Sequence, residues 1–94
     1  MPTITKKEQI ESLESFASAL LKLKTQEEIL LLFKEIMTPS EVVTLSLRWR
    51  LLQMLAAGQS QRSIASDLGI SLCKITRGSK ILNKSKSITK QILN

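Results

Sequence analysis

The stretch QRSIASDLGISLCKITRGSK, residues 61–80, constrains the fold most, because its apolar and small residues follow the pattern of a helix-turn-helix. Two helices that cross steeply need a small residue at their closest approach, here Ala65, and a turn residue that tolerates positive φ, here Gly69. The apolar residues expected to be buried are Ile64, Leu68, Ile70 and Ile75. We expect a second helix to open at the N-cap Ser71 and to present its exposed start to DNA base edges.

The charge distribution supports a nucleic-acid partner. Residues 48–94 hold nine Lys or Arg against the single acid Asp67, a net charge near +8, whereas residues 1–47 hold five Lys and seven Glu, a net charge near −2. A basic half that contains the motif is an electrostatic footprint for phosphate. A basic run alone is more often only a solvated surface, but beside this motif it favours binding of double-stranded DNA.

The composition argues against catalysis and metal binding. There is no histidine, and Cys73 is the only cysteine, so Ser-His-Asp catalysis, His or Cys metal sites and internal disulfides lack their residues. We expect no enzyme activity. The longest apolar run, 29–33, is far too short to span a bilayer, and residues 6–11 are charged rather than secretory in character. A soluble, cytoplasmic protein without membrane contact is expected.

Helix signals recur along the chain and no strand pattern competes with them. Thr5 with Glu8, and Thr25 with Glu28, have the spacing of capping boxes, which predicts a first helix to about residue 23 and a second, short helix that is apolar on nearly every side. That second helix is expected to be buried on several faces.

Thr38 and Pro39 predict the start of a third helix, 39–57, which ends before Gly58. Its expected apolar face consists of Val42, Leu45, Trp49, Leu52 and Ala56, widened by Leu51 and Leu55. A last helix, 85–94, is expected to be capped by Ser85 or Ser87. The fold prediction is a single all-α domain, 1–94, of about six helices: dimerisation helices in 1–57, a helix-turn-helix reader in 59–82, and the C-terminal helix.

The apolar residues exceed what one small chain can bury, so we expect a homodimer with a shared core that includes Trp49. Twofold symmetry would present two reading helices to a near-palindromic DNA site.

Three segments resemble the tryptophan repressor family: MTPSE at 37–41, SQR at 60–62 and ITRGS at 75–79. The resemblance covers roughly residues 33–82, and the last of these segments is quite specific. The resemblance implies an intertwined helical homodimer. Such a dimer binds L-tryptophan as corepressor and then operator DNA, and so represses tryptophan biosynthesis or uptake genes.

The resemblance also implies a ligand site. The two arginines that sandwich the indole in this family match Arg48 and Arg77, the threonine near the ligand carboxylate matches Thr38, and the glycine packed by the indole matches Gly78. A planar guanidinium over an indole contributes about 0.5–2 kcal/mol, and carbonyls at a helix end, Glu35 to Met37, are suited to the ligand ammonium. The chain departs from the family at Ile81, often a serine that helps hold the amino group, and at Lys74, often a threonine near the ligand.

The expected DNA contacts divide into base readers and phosphate contacts. Lys74 is suited to guanine or phosphate, and Leu72 and Cys73 to apolar contact such as a thymine methyl. The full set of expected DNA-binding residues is Gln61, Arg62, Leu72, Cys73, Lys74, Thr76, Arg77, Ser79 and Lys80.

Three alternatives stay open at this point. The first is a regulator of the same fold that answers to another ligand, or to none. The second is a DNA-docking module for replication or assembly, and the third is a purely structural helical dimerisation protein.

Overall fold

The protein folds into α-helices, and the computed structural model describes residues 3–94; the first two residues of the predicted domain lie outside that part. The helices, numbered in chain order, are α1 Lys6–Leu20, α2 Gln26–Ile36, α3 Pro39–Ala56, α4 Gln61–Leu68, α5 Leu72–Asn83 and α6 Ile88–Leu93. Over residues 3–94 there is no strand. The all-α prediction with six helices is confirmed.

The first two helices begin at the predicted capping boxes. The Glu8 N–H donates to Thr5 Oγ1 at 3.1 Å, and the Thr5 N–H donates back to Glu8 Oε1 at 3.1 Å. Thr25 and Glu28 repeat this exchange at the start of α2. The hydrogen bonds from the side chain and backbone of Thr5 lower the pKa of Glu8, because they favour its ionised form.

Residue contacts divide the chain into two compact units, one ending at Thr38 and the other spanning Pro39–Asn94. In the first unit the rings of Phe16 and Phe33 lie 6.4 Å apart and tilted by 39°. Neither α1 nor α2 contains a buried residue. The predicted burial of α2 on several faces is not found in the single chain, where Leu30 and Leu31 are exposed.

The second unit holds the hydrophobic core, in which α3 packs against α4, α5 and α6. The buried core residues are Leu51, Leu52, Ile64, Ile75 and Leu82. The buried face of α3 is thus centred on Leu51, 4% exposed, rather than on the predicted stripe, whose Leu45 and Trp49 are 42% and 40% exposed. α3 belongs to the same compact unit as the helix-turn-helix, and the assignment of 1–57 to dimerisation stays a prediction.

Two helix boundaries differ from their predicted positions. The first helix ends at Leu20 rather than near residue 23. The last helix begins at Ile88 rather than at about residue 85, and of the two predicted caps it is Ser87 that caps it. The backbone of Lys86 has φ 60°, which a right-handed helix does not accommodate. None of the helices described here is long and apolar enough to cross a membrane.

Candidate functional site

The helix-turn-helix is built as its sequence pattern predicts. Ile64 of α4 and Ile75 of α5 are fully buried, and Ala65 packs against the same core. Gly69 ends α4 with φ 64°, and its N–H donates to the Ala65 carbonyl at 2.9 Å. This left-handed conformation suits glycine and turns the chain sharply into α5. The inner face of α5 is therefore held against α3 and α4 while its outer face stays open.

Most of the residues predicted to contact DNA lie on exposed positions of α4 and α5. The exposed members are Gln61, Arg62, Leu72, Cys73, Lys74, Thr76, Arg77 and Lys80. Ser79 is half-buried, and its Oγ accepts a hydrogen bond from Asn83 Nδ2 at 3.4 Å. Ser79 also lines a small cavity with Leu82 and Lys90. The exposed set can approach a phosphate backbone directly, whereas Ser79 is partly covered by its own unit.

A side-chain contact links the start of α4 to α5. The Thr76 hydroxyl lies 2.9 Å from the Leu72 carbonyl and 3.4 Å from Gln61 Oε1, and is placed to donate to either. Thr76 and Gln61 were each predicted as phosphate contacts, and the structure brings their polar atoms together.

A hydrogen-bond network at the entry to α4 was missed by sequence reasoning. Gln59 Nε2 donates to Asp67 Oδ2 at 2.8 Å and to Ser63 Oγ at 2.9 Å. Asp67 is the single acid of residues 48–94, so the hydrogen bond from Gln59 is made to the one carboxylate side chain of the basic half. Ser63 and Asp67 are four residues apart on α4 and so lie on one side of that helix, but Gln59 precedes the helix, so its contacts with them do not follow from helical spacing.

A cavity of about 210 Å³ lies between α3 and α5. α3 contributes Thr44, Leu47, Arg48 and Leu51, the turn contributes Ile70, and α5 contributes Lys74 and Arg77. The structure thus brings Arg48 and Arg77, the two arginines singled out in the sequence, to the wall of one cavity. Sequence reasoning missed Thr44, Leu47, Leu51 and Ile70 as wall residues. Counted from Thr44, the positions of Leu47, Arg48 and Leu51 are three, four and seven residues further on, which places all four on one face of α3 and was the available signal.

The charge around this cavity is uniformly positive. Arg48, Lys74 and Arg77 are all solvent-exposed residues, and none of the described residues that line the cavity is acidic. The remaining wall is apolar apart from Thr44. Such a cavity combines an apolar slot with cations at its mouth, which suits a small ligand that has a flat apolar body and an acidic group.

Of the other predicted ligand residues, Gly78 and Ile81 belong to the same unit as this cavity but are not among the residues that line it. Gly78 is buried, because α5 approaches α3 there so closely that a β-carbon would overlap the side chain of Leu51. Ile81 is 39% exposed, one helical turn beyond Arg77. Glu35, Met37 and Thr38 belong to the first unit, where α2 ends, and the Met37 N–H donates to the Phe33 carbonyl at 2.9 Å.

Among the described residues no cluster of His, Cys, Asp or Glu is arranged to hold a metal ion. A family model described as Trp repressor protein matches residues 11–94. No curated protein gives a significant match to the chain.

Proposed function

This chain belongs to the Trp repressor family, whose members are DNA-binding transcription regulators, and from that membership we propose that it is an L-tryptophan-dependent repressor of genes for tryptophan biosynthesis or uptake. The observation that carries the proposal is the shared wall of the cavity. One arginine comes from α3 and the other from the reading helix α5, so a ligand in the cavity contacts both helices. Ligand binding and the position of the reading helix are thereby coupled.

The proposed ligand geometry follows from the chemistry of a free amino acid. The indole lies between the guanidinium planes of Arg48 and Arg77, and Arg77 also pairs with the carboxylate. From the family resemblance Thr38 is a candidate contact for the ligand carboxylate, and the carbonyls of Glu35 to Met37, at the end of α2, are candidate acceptors for its ammonium. Gly78 and Ile81 flank the indole. These roles rest on the family resemblance and on the chemistry of the groups.

The proposed switch is a shift between two orientations of α5. Without a ligand, the positive charges on α3 and α5 repel each other across the cavity. A bound carboxylate offsets that repulsion and favours the orientation in which α5 fits the major groove. Gln61, Arg62 and Lys80 then contact phosphates, while Leu72, Cys73 and Lys74 reach base edges. Thr76 and Ser79 contribute further backbone contacts.

We also propose that the repressor is a cytoplasmic homodimer. Its support is the apolar surface that a single chain leaves uncovered, which includes Leu30 and Leu31 of α2 and Leu45 and Trp49 of α3. Burying such a surface against a second copy is favourable by about 25 cal/mol per Å².

A second candidate function is a regulator of the same fold that responds to another ligand or to none. The observation that favours it is the presence of Lys74 in the cavity wall, where the family often has threonine, together with Ile81 in place of serine. Operator binding that ignores L-tryptophan would support this candidate.

The Arg77→Ala variant tests the proposed coupling. Because Arg77 contacts the ligand and belongs to the reading helix, the variant should lose the heat of L-tryptophan binding in calorimetry and also lose operator affinity. Arg62→Ala is the matched control: Arg62 is exposed on α4 and does not line the cavity, so its loss should weaken DNA binding and leave the ligand heat unchanged. Full retention of ligand binding by Arg77→Ala contradicts the assignment.

A further inference from the structure

A side-chain contact joins the two helices of the helix-turn-helix. Gln61 is the first residue of α4, and Thr76 lies 15 residues further along, on α5. The Thr76 Oγ1 lies 3.4 Å from Gln61 Oε1 and 2.9 Å from the Leu72 carbonyl oxygen. Gln61 and Thr76 are both exposed, on helices that are expected to meet DNA. The contact therefore links a polar group at the start of α4 to the reading helix.

The Thr76 hydroxyl has one hydrogen to donate and two acceptors within reach. The Leu72 carbonyl lies four positions before Thr76 in α5, so in an α-helix it accepts from the Thr76 backbone N–H as well. That carbonyl is satisfied without the hydroxyl, whose hydrogen is therefore available to Gln61 Oε1. A hydroxyl that donates to Gln61 has no hydrogen left for a phosphate oxygen.

The direction of this bond decides which end of the Gln61 amide is left for DNA. A glutamine amide has an oxygen that accepts and a nitrogen with two hydrogens to donate. With Oε1 held by Thr76, Nε2 is the end that can turn to a phosphate, whose oxygens need a donor. An unrestrained, exposed amide would lose more rotational freedom when it binds. The Thr76 hydroxyl thus favours the amide orientation that suits a phosphate.

Binding of a phosphate at Nε2 strengthens the bond to Thr76. Hydrogen bonds in a chain polarise one another, so a negative charge at Nε2 makes Oε1 a better acceptor. The distance of 3.4 Å in the free protein is longer than the usual O–H···O distance, which leaves the bond room to shorten. The contact should therefore contribute more to DNA affinity than to the stability of the fold.

We propose that Thr76 is a positioning residue for DNA binding: its hydroxyl orients the Gln61 amide, and that amide donates to a backbone phosphate. The contribution of Thr76 to the backbone contacts is made through Gln61. The proposal rests on the DNA binding in the proposed function and is independent of the ligand in the cavity between α3 and α5.

The test is a double-mutant cycle on the DNA affinity of the whole protein. Wild type, Thr76→Val, Gln61→Ala and the double variant are titrated with operator-length DNA from upstream of the gene, at one fixed salt concentration. Thr76→Val replaces the hydroxyl with a methyl group and should weaken binding about three- to tenfold, the range for one hydrogen bond. In the Gln61→Ala background the same change should leave the affinity within about twofold.

The conservative variant and a second hydroxyl separate positioning from a structural role. Thr76→Ser keeps the hydroxyl and should bind DNA as wild type does. Ser46→Ala is the matched control, because the Ser46 hydroxyl also donates to the carbonyl four positions before it, that of Val42 at 2.7 Å, but lies on α3 outside the motif. It should leave DNA affinity unchanged. Thermal unfolding of each variant checks that the fold is retained.

Three results would overturn the positioning role. The first is an equal loss from Thr76→Val in the wild-type and Gln61→Ala backgrounds, since Thr76 would then act without Gln61. The second is an equal loss from Ser46→Ala, since any intrahelical hydroxyl bond would then have the same effect. The third is a changed slope of affinity against salt, since both side chains of the pair are uncharged and their loss releases no counterions.

The failure of this inference is distinguishable from that of the proposed function. All titrations are made with and without L-tryptophan. Equal binding by wild type in both conditions would contradict tryptophan control, while a Gln61-dependent effect of Thr76→Val in the same data would still support the positioning role. Binding that requires L-tryptophan, combined with independent effects of the two substitutions, would leave the repressor function standing and overturn the role of Thr76.

Discussion

At the scale of single residues, Gly78 bears on both the packing of α5 against α3 and the proposed ligand site. The resemblance predicts a glycine packed by the indole, and the structure shows a further reason for it: a β-carbon would overlap Leu51 and lie 3.3 Å from Cδ1 of Leu55. Leu51 in turn lines the ligand cavity. The glycine therefore allows α5 to pack closely on α3 and leaves the cavity its shape.

Gly78→Ala should lower the free energy of unfolding by about 1 kcal/mol. Overpacking costs roughly 1–3 kcal/mol, and the higher helix propensity of alanine offsets up to about 1 kcal/mol of it. Because the displaced Leu51 side chain lines the cavity, affinity for L-tryptophan should fall as well. Thermal unfolding and calorimetry measure the two effects. Lys80→Ala, an exposed change on the same helix, should stay within about 0.5 kcal/mol of wild type. A Gly78→Ala protein more stable than wild type would contradict this account of the glycine.

The functional residues differ in how far the sequence alone could find them. Arg48 and Arg77 were found through the family resemblance, and the structure places both on one cavity. Lys74 was predicted as a DNA contact, and only the family resemblance, which matches it to a position near the ligand, pointed to the cavity wall where the structure places it. The Gln59 contact with Asp67 was missed because it joins a residue outside the helix to one within it.

At the scale of helices, capping predicts where elements begin better than periodicity predicts which face is buried. The starts of α1 and α2 follow from their capping boxes. The buried face of α3 does not follow from its apolar residues, because nearly every side of that helix is apolar and the choice depends on where α4 and α5 pack. The sequence left the cap of α6 open between Ser85 and Ser87, because the positive φ of Lys86 between them leaves no mark in the residue pattern.

The two helices of the motif have different N-caps, so substitutions of the two cap residues should lower the stability by different amounts. Ser60 Oγ accepts from the Ser63 N–H at 3.2 Å at the start of α4, whereas Ser71 at the start of α5 makes no side-chain cap hydrogen bond. Ser60→Ala should therefore cost about 1 kcal/mol of stability, and Ser71→Ala less than half of that. Thermal unfolding at one fixed protein concentration compares them. Equal losses in the two variants would show that the Ser60 bond contributes nothing.

At the scale of the whole molecule, positive charge and exposed apolar residues are distributed differently along the chain. The net charge near +8 lies in residues 48–94 with the helix-turn-helix, and residues 1–47 are near −2. The sequence predicts the fold class and the location of the basic half, because helix caps and charge are local properties. The uncovered apolar residues of α2 and α3 could be anticipated only as an excess of apolar residues over what one chain can bury, because periodicity does not show which of them the chain's own core leaves exposed.

The measurement that tests the central proposal most directly is operator binding by the purified protein with and without L-tryptophan. The DNA is of operator length from the region upstream of the protein's own gene, at fixed near-physiological salt, because phosphate contacts make affinity strongly salt-dependent. A scrambled duplex of equal length is the control. The proposed function predicts specific binding that appears only when L-tryptophan is present. Equally tight specific binding in both conditions would contradict tryptophan control.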